Sequence, residues 1–180
     1  GYNISLQSLL DSNNVNALSN SDVNAIKYQV NWPGTADQSF NLDVQNRVNY
    51  YNINAIPSTL FNGLSSTVYN NQLSQQLDSS YHTYVSIDAI AEINNNLIEL
   101  DFEILSQLDK NVNVYAAIVE RQYENDNGTN SETTFYNVFR KFLTDPAGFE
   151  LYLESSIPFN SELAGFSITS SYSTGNVFSG

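Results

Sequence analysis

The spacing of hydrophobic positions changes character near residue 82. Before it, apolar residues recur mostly at helical intervals. Leu6, Leu9 and Leu10 follow the candidate caps Asn3 and Ser5 and predict a helix over residues 5–12. An Asn-rich connection leads to residues 25–30, AIKYQV, whose β-formers predict a strand that Trp32-Pro33-Gly34 stops. Residues 42–51, LDVQNRVNYY, predict a second helix with Leu42, Val44, Val48 and Tyr51 inward. The chain then crosses residues 53–57 into a short strand over 58–62, and Asn62-Gly63 is a strong turn signal. Residues 66–81 predict another helix, with Val68, Leu73 and Leu77 as its stripe and Tyr69 and Tyr81 at its flanks.

From Thr83 onward the period is mostly two. Residues 84–93 and 97–105 alternate or run apolar, joined by Asn94-Asn95-Asn96. LIELDFEIL puts Leu97, Glu99, Asp101 and Glu103 on one face and Ile98, Leu100, Phe102 and Ile104 on the other. Residues 112–123, 132–143 and 149–154 follow, with turns at 124–131 and 144–148, then strand signals at 165–170 and 177–178. Strands at this spacing with turns between them predict an antiparallel β-sandwich. The expected class is α+β, with an α/β unit over residues 1–81 and an antiparallel sandwich over 82–180. No tandem repeat and no Pro/Ser linker interrupts this order.

Composition narrows the partners. Nineteen acids against six bases (Lys27, Arg47, Lys110, Arg121, Arg140 and Lys141) give a net charge of −13. So few cations cannot neutralise a row of phosphates, which argues against nucleic acid and against an anionic membrane surface. No apolar run approaches the ~20 residues of a membrane-spanning helix, so direct membrane insertion is not expected. Apolar residues at 41%, with 12 Tyr and 10 Phe, are enough for a real core in a chain of 180 residues. The 26 Asn, with Ser, Thr and Tyr in place of charges, point to a secreted or cell-surface protein. The absence of Met and of a visible signal peptide at Gly1 leads to the expectation of a mature form or an excised piece.

Two blocks of residues carry a family resemblance. NAIKYQVNWPGTADQSFN…NRVNYYNINAIPSTLFNG resembles thioredoxin-like outer-membrane and secreted proteins of Gram-negative bacteria, in which the strand–WPG, the Arg-x-x-Tyr-Tyr and a Val-Pro or Ile-Pro turn ending in Asp-Gly or Asn-Gly recur. AAIVERQYENDNG…NVFRKFLTDPAGFEL resembles the same family's Ig-like sandwich domain, and together the blocks span about residues 1–155. The resemblance implies a partial thioredoxin-like unit, incomplete at its N-terminus, followed by the sandwich. It also implies that a CxxC precedes Gly1 and that Ile56-Pro57 is a cis-proline turn. Trp32, Ile56, Pro57 and Ser58 would then line a shelf that binds extended peptide through backbone hydrogen bonds.

The chemistry-bearing residues are sparse. The chain has no cysteine, and thiol–disulfide exchange needs a thiolate, so this chain alone cannot perform it. His82 is the single histidine, which leaves neither a zinc set nor the setting of a Ser-His-Asp triad. Glu99, Asp101 and Glu103 share one strand face, as solvated carboxylates do. Glu124, Asp126, Asn127 and Asn130 supply oxygens of the kind calcium takes. A solvated hairpin turn accounts for them equally, so the loop is a weak calcium candidate and no metal site or cofactor is assigned. Arg140 and Lys141 lie in an apolar stretch, where one of them is expected to pair with an acid such as Glu120.

The expected function is that of a non-catalytic secreted or cell-surface binding or structural module. It would take a protein partner or assemble with itself through an exposed sheet edge. Two alternatives stand beside it. One is a Cys-less portion of an extracytoplasmic thiol-disulfide oxidoreductase, with the periplasm as its compartment. The other is a glycan-binding sandwich whose tyrosines stack on sugars.

Overall fold

The computed structural model describes residue 10 and residues 24–34, 37–66, 85–94, 97–124, 132–155 and 164–171. Among the described residues one short helix has both its ends defined, α1 (Leu42–Tyr50), and nine strands follow it. They are β1 (Thr59–Phe61), β2 (Leu64–Ser66), β3 (Val85–Asn94), β4 (Leu97–Ser106), β5 (Lys110–Val114), β6 (Ala117–Glu124), β7 (Thr134–Phe142), β8 (Phe149–Leu153) and β9 (Ala164–Ser171). The registered ladders are antiparallel, so the fold is mixed α+β and largely β. Of the predicted helices, 5–12 is represented by Leu10, helical and buried; the rest of it, and 66–81 beyond Ser66, lie outside the described residues. The 125–131 turn, His82 and the 177–178 strand also lie outside them.

The residues divide into two compact units. One takes residues 1–81 and 119–139, the other 82–118 and 140–180.

In the first unit, α1 is closed at both ends by Asn. The Asn41 side chain accepts the Val44 N–H at 3.1 Å, and Asp43 sits in the first turn, where the helix dipole favours an acid. At the C-terminus Asn52 takes a positive φ of 52°, and the N–H groups of Asn52 and Ile53 donate to the Asn49 and Val48 carbonyls. This is the Schellman arrangement, with Asn in the left-handed position. Val44, Arg47 and Val48 are buried, but Leu42 is 78% exposed, contrary to the predicted inward stripe. Leu42 is the first helical residue, and the buried face begins two positions later, where the 3.6-residue period brings Val44, Arg47 and Val48 together.

Asn62 (φ 49°) and Gly63 (φ 80°) close the β1–β2 hairpin in the two-residue form that needs positive φ at both positions. Residues 25–30 do not form the predicted laddered strand. They join β7 at one parallel bridge, Lys27 to Val138, where the Lys27 N–H donates to the Asn137 carbonyl and its own carbonyl accepts from Phe139. Asn137 has φ 57°, which breaks the strand geometry at that point and limits the pairing. The buried apolar residues of this unit include Val44, Val48, Val138 and Phe139, and the Tyr28 ring lies 4.9 Å from Phe139.

In the second unit, β3, β4 and β9 form one sheet in that order, and β5 pairs with β8. The predicted single strand over 112–123 is instead two, β5 and β6, interrupted at Tyr115-Ala116. The inward face of β4 (Leu100, Phe102, Ile104) packs against Val112 and Val114 of β5 and Leu151 and Leu153 of β8. Ser106, buried at the end of β4, donates from Oγ to the Leu108 carbonyl and accepts the Leu108 N–H. The turn before β8 follows its residues: Asp145 at the first position, Pro146 at the second, Gly148 at the fourth. The Gly148 N–H donates to the Asp145 carbonyl, and the Ala147 N–H donates to the Asp145 carboxylate, both at 2.8 Å.

Gly63 and Gly148 both need positive φ, but their surroundings differ. A Cβ on Gly63 would meet only the Tyr51 ring at 3.8 Å, an ordinary contact. One on Gly148 would stand 2.8 Å from the Tyr115 ring, whose hydroxyl is tied to the Ala147 carbonyl. Gly63→Ala should therefore cost about 1 kcal/mol, from backbone strain alone. Gly148→Ala should cost about 3 kcal/mol, because the clash adds to the strain. Urea unfolding of the two variants beside the parent measures the difference.

Candidate functional site

In the first unit the Arg-x-x-Tyr-Tyr residues converge on Tyr28. The Arg47 guanidinium lies over the rings of Tyr50 and Tyr51, at 5.3 and 5.7 Å from their centroids, and those two rings meet edge to face. Arg47 is buried beside Tyr28, where its charge and hydrogen-bonding capacity favour the ionised phenol. Desolvation penalises a buried cation, and the phenol oxygen and two π-faces offset that penalty. Burial pushes the Tyr28 phenol above its ordinary value, and Arg47 pulls it part of the way back.

The predicted shelf residues stand in two loops. Trp32, half-buried, precedes Pro33 across a cis bond, and Ile56 precedes Pro57 across another. Ile56, Pro57 and Ser58 are all exposed. The Ser58 hydroxyl donates to the Ala55 carbonyl at 2.6 Å, so its proton is committed to its own turn. What this turn offers a ligand is therefore the exposed Ile56 and Pro57 surface.

The second unit carries a larger exposed surface. β3 is ten residues long, sits at the edge of its sheet, and among the described residues is laddered only to β4. Its register sets Ile87 opposite Ile104, Ala89 opposite Phe102 and Ala91 opposite Leu100. Residues opposite each other in a ladder share a face. The apolar row Val85, Ile87, Ala89, Ala91 and Ile93 therefore continues the face that buries Phe102 and Ile104. Over β4 that face is covered, with Phe102 only 6% exposed; over β3 it is open, with Ile87 at 61% and Ile93 at 70%.

The opposite face of the sheet is acidic. Asp88 lies directly across from Glu103, and Glu92 across from Glu99, with the exposed Ile90 and its partner Asp101 between the two pairs. β3, β4 and β9 contain no lysine or arginine. The predicted common face of Glu99, Asp101 and Glu103 is present, and β3 adds two carboxylates to it.

Of the calcium candidates, Glu124 is exposed and accepts from Gln122 Nε2 at 3.3 Å, while Asp126, Asn127 and Asn130 lie outside the described residues. Among the described residues no cluster of His, Cys, Asp and Glu could hold a metal ion, and no helix is long and apolar enough to cross a membrane. Sequence reasoning missed the β3 edge. Its signal was present in the alternation of residues 85–93. No protein-family model matches the chain, and no curated protein or solved structure is detectably similar to it.

The raised Tyr28 pKa has a definite sign. The folded state holds the phenolic proton more tightly than the unfolded chain, so this contribution is fully present below pH ~10 and is lost as pH rises through the folded-state value. Urea-unfolding stability should fall above pH ~10, and part of that fall should vanish in Tyr28→Phe. The same variant should lose about 1 kcal/mol at neutral pH, since Arg47 loses its phenolic partner.

Proposed function

We propose that this chain is a non-catalytic binding or structural module that engages another polypeptide by adding a strand to an exposed sheet edge. The observation that carries this reading is β3, a ten-residue edge strand with solvent-exposed side chains from Val85 to Ile93 and an apolar row on its core-side face. Such an edge offers a row of backbone donors and acceptors to an incoming strand, while its apolar row adds burial. In this reading the second unit is an Ig-like β-sandwich, supported by the packing of β4 on β5 and β8. The first is a partial thioredoxin-like unit, supported by the order of helix, Ile-Pro turn and short strand. The absence of any thiol excludes thiol-disulfide exchange by this chain itself, and the Asn-rich, charge-poor composition supports a secreted or cell-surface location.

The test uses a ten-residue peptide alternating valine and threonine, which is extended, neutral and able to pair along an edge. Saturating peptide should slow amide hydrogen exchange within β3. Ile87→Lys, which sets a charge on the open apolar row, should remove that protection. Unchanged β3 exchange at saturating peptide would refute strand addition at this edge.

A further inference from the structure

Resting on the strand-addition reading, we infer that the strand β3 accepts is amphipathic in a particular way: apolar on one face and basic on the other. The incoming strand must satisfy two faces at once, because its side chains alternate as those of β3 do. On the core side it meets Ile87, Ala89, Ala91 and Ile93, all exposed. Apolar residues there extend the cover that β5 and β8 give to Phe102 and Ile104. On the other side it meets Asp88 and Glu92, with the exposed Ile90 between them, and each carboxylate is already paired across the sheet with another, Glu103 and Glu99. Like charges directly opposite each other are destabilising, and the sheet supplies no cation to relieve them. Lysine or arginine at alternate positions of the incoming strand would relieve both pairs at once.

The same charges argue against a second copy as the occupant. An antiparallel β3–β3 pairing centred on Ile90 places Asp88 of each chain against Glu92 of the other. That register would add two more like-charge pairs; the registers centred on Ala89 or Ala91 avoid them, and there the net charge of −13 on each chain is what opposes association. The preferred partner is therefore an extended segment of another polypeptide in which valine-, isoleucine- or leucine-like residues alternate with lysine or arginine.

Ten-residue peptides alternating valine with lysine, and valine with glutamate, test this against the full 180-residue chain by fluorescence anisotropy at low ionic strength. The lysine peptide should bind about tenfold tighter than the glutamate peptide, and the gap should narrow as salt screens the exposed carboxylates. Asp88→Asn with Glu92→Gln should level the two affinities, and Asp88→Lys with Glu92→Lys should reverse their order. Circular dichroism confirms that each variant is folded, and the neutralised pair keeps the test decisive if the reversed pair is not. A peptide of the same composition with its lysines clustered at one end should bind at least about tenfold more weakly, because only alternation presents both faces together.

Several results would overturn the inference: equal affinities for the two peptides, a lysine preference that survives neutralisation, or equal binding of the clustered peptide. Self-association of the parent chain that Ile87→Lys abolishes would also overturn it, in favour of a second copy. If the valine–threonine peptide protects β3 while charge makes no difference, strand addition stands and the basic partner falls. If no peptide protects β3, both fall.

Discussion

Side chains opposite each other across an antiparallel ladder lie on the same face, and the second unit is organised by that constraint. Once Asn94 pairs with Leu97, every later pair is determined, through Ala89 with Phe102 to Val85 with Ser106. The apolar set of β4 then has one place to go, against Val112, Val114, Leu151 and Leu153. The same register gathers all five carboxylates of β3 and β4 on the other face. Shifting the pairing by one residue would turn either strand's apolar set away from the core, so burial of Phe102 and Ile104 holds the register against the repulsion of Asp88 and Glu92 by Glu103 and Glu99.

What distinguishes β3 from β4 is cover. Their apolar residues share a face, yet Ile104 is buried and its ladder partner Ile87 is open. A sheet edge presents unpaired backbone groups, and natural sheets guard such edges with short strands, bulges, proline or inward-pointing charges. β3 is long, keeps an unbroken register with β4 and contains no proline, and the guard it carries is a pair of charges, Asp88 and Glu92, on the outward face. Among the described residues the same strand thus combines an edge laddered on one side only, an exposed apolar row and two carboxylates set opposite carboxylates.

In the first unit the organising contact is electrostatic. Arg47 lies on the buried side of α1, where an apolar residue would be the simpler choice. Its charge is met by the Tyr28 oxygen and by the faces of Tyr50 and Tyr51. The Arg-x-x-Tyr-Tyr run is thus a packing device that links a helix to the segment around Tyr28. Tyr50 and Tyr51 were legible as aromatic residues at the end of a helix. Arg47 as a core residue was not, because helical spacing alone reads a cation as a solvated one.

The residues by themselves determined the local elements. Asn41 and Asn52 bound α1, Asn62-Gly63 closes a hairpin, Asp145-Pro146-Ala147-Gly148 turns the chain, and period-two alternation marks β3, β4 and β8. These depend on a few neighbouring residues, whose φ preferences and side-chain spacing act over short range. The tertiary structure alone decided which apolar rows are covered. It reduced residues 25–30 to one bridge at Lys27, left Leu42 in solvent, buried Arg47, and covered β4 while leaving β3 open. Alternation shows that a strand has an apolar face; whether another layer lies over that face depends on partners distant in sequence, and no local pattern encodes their position.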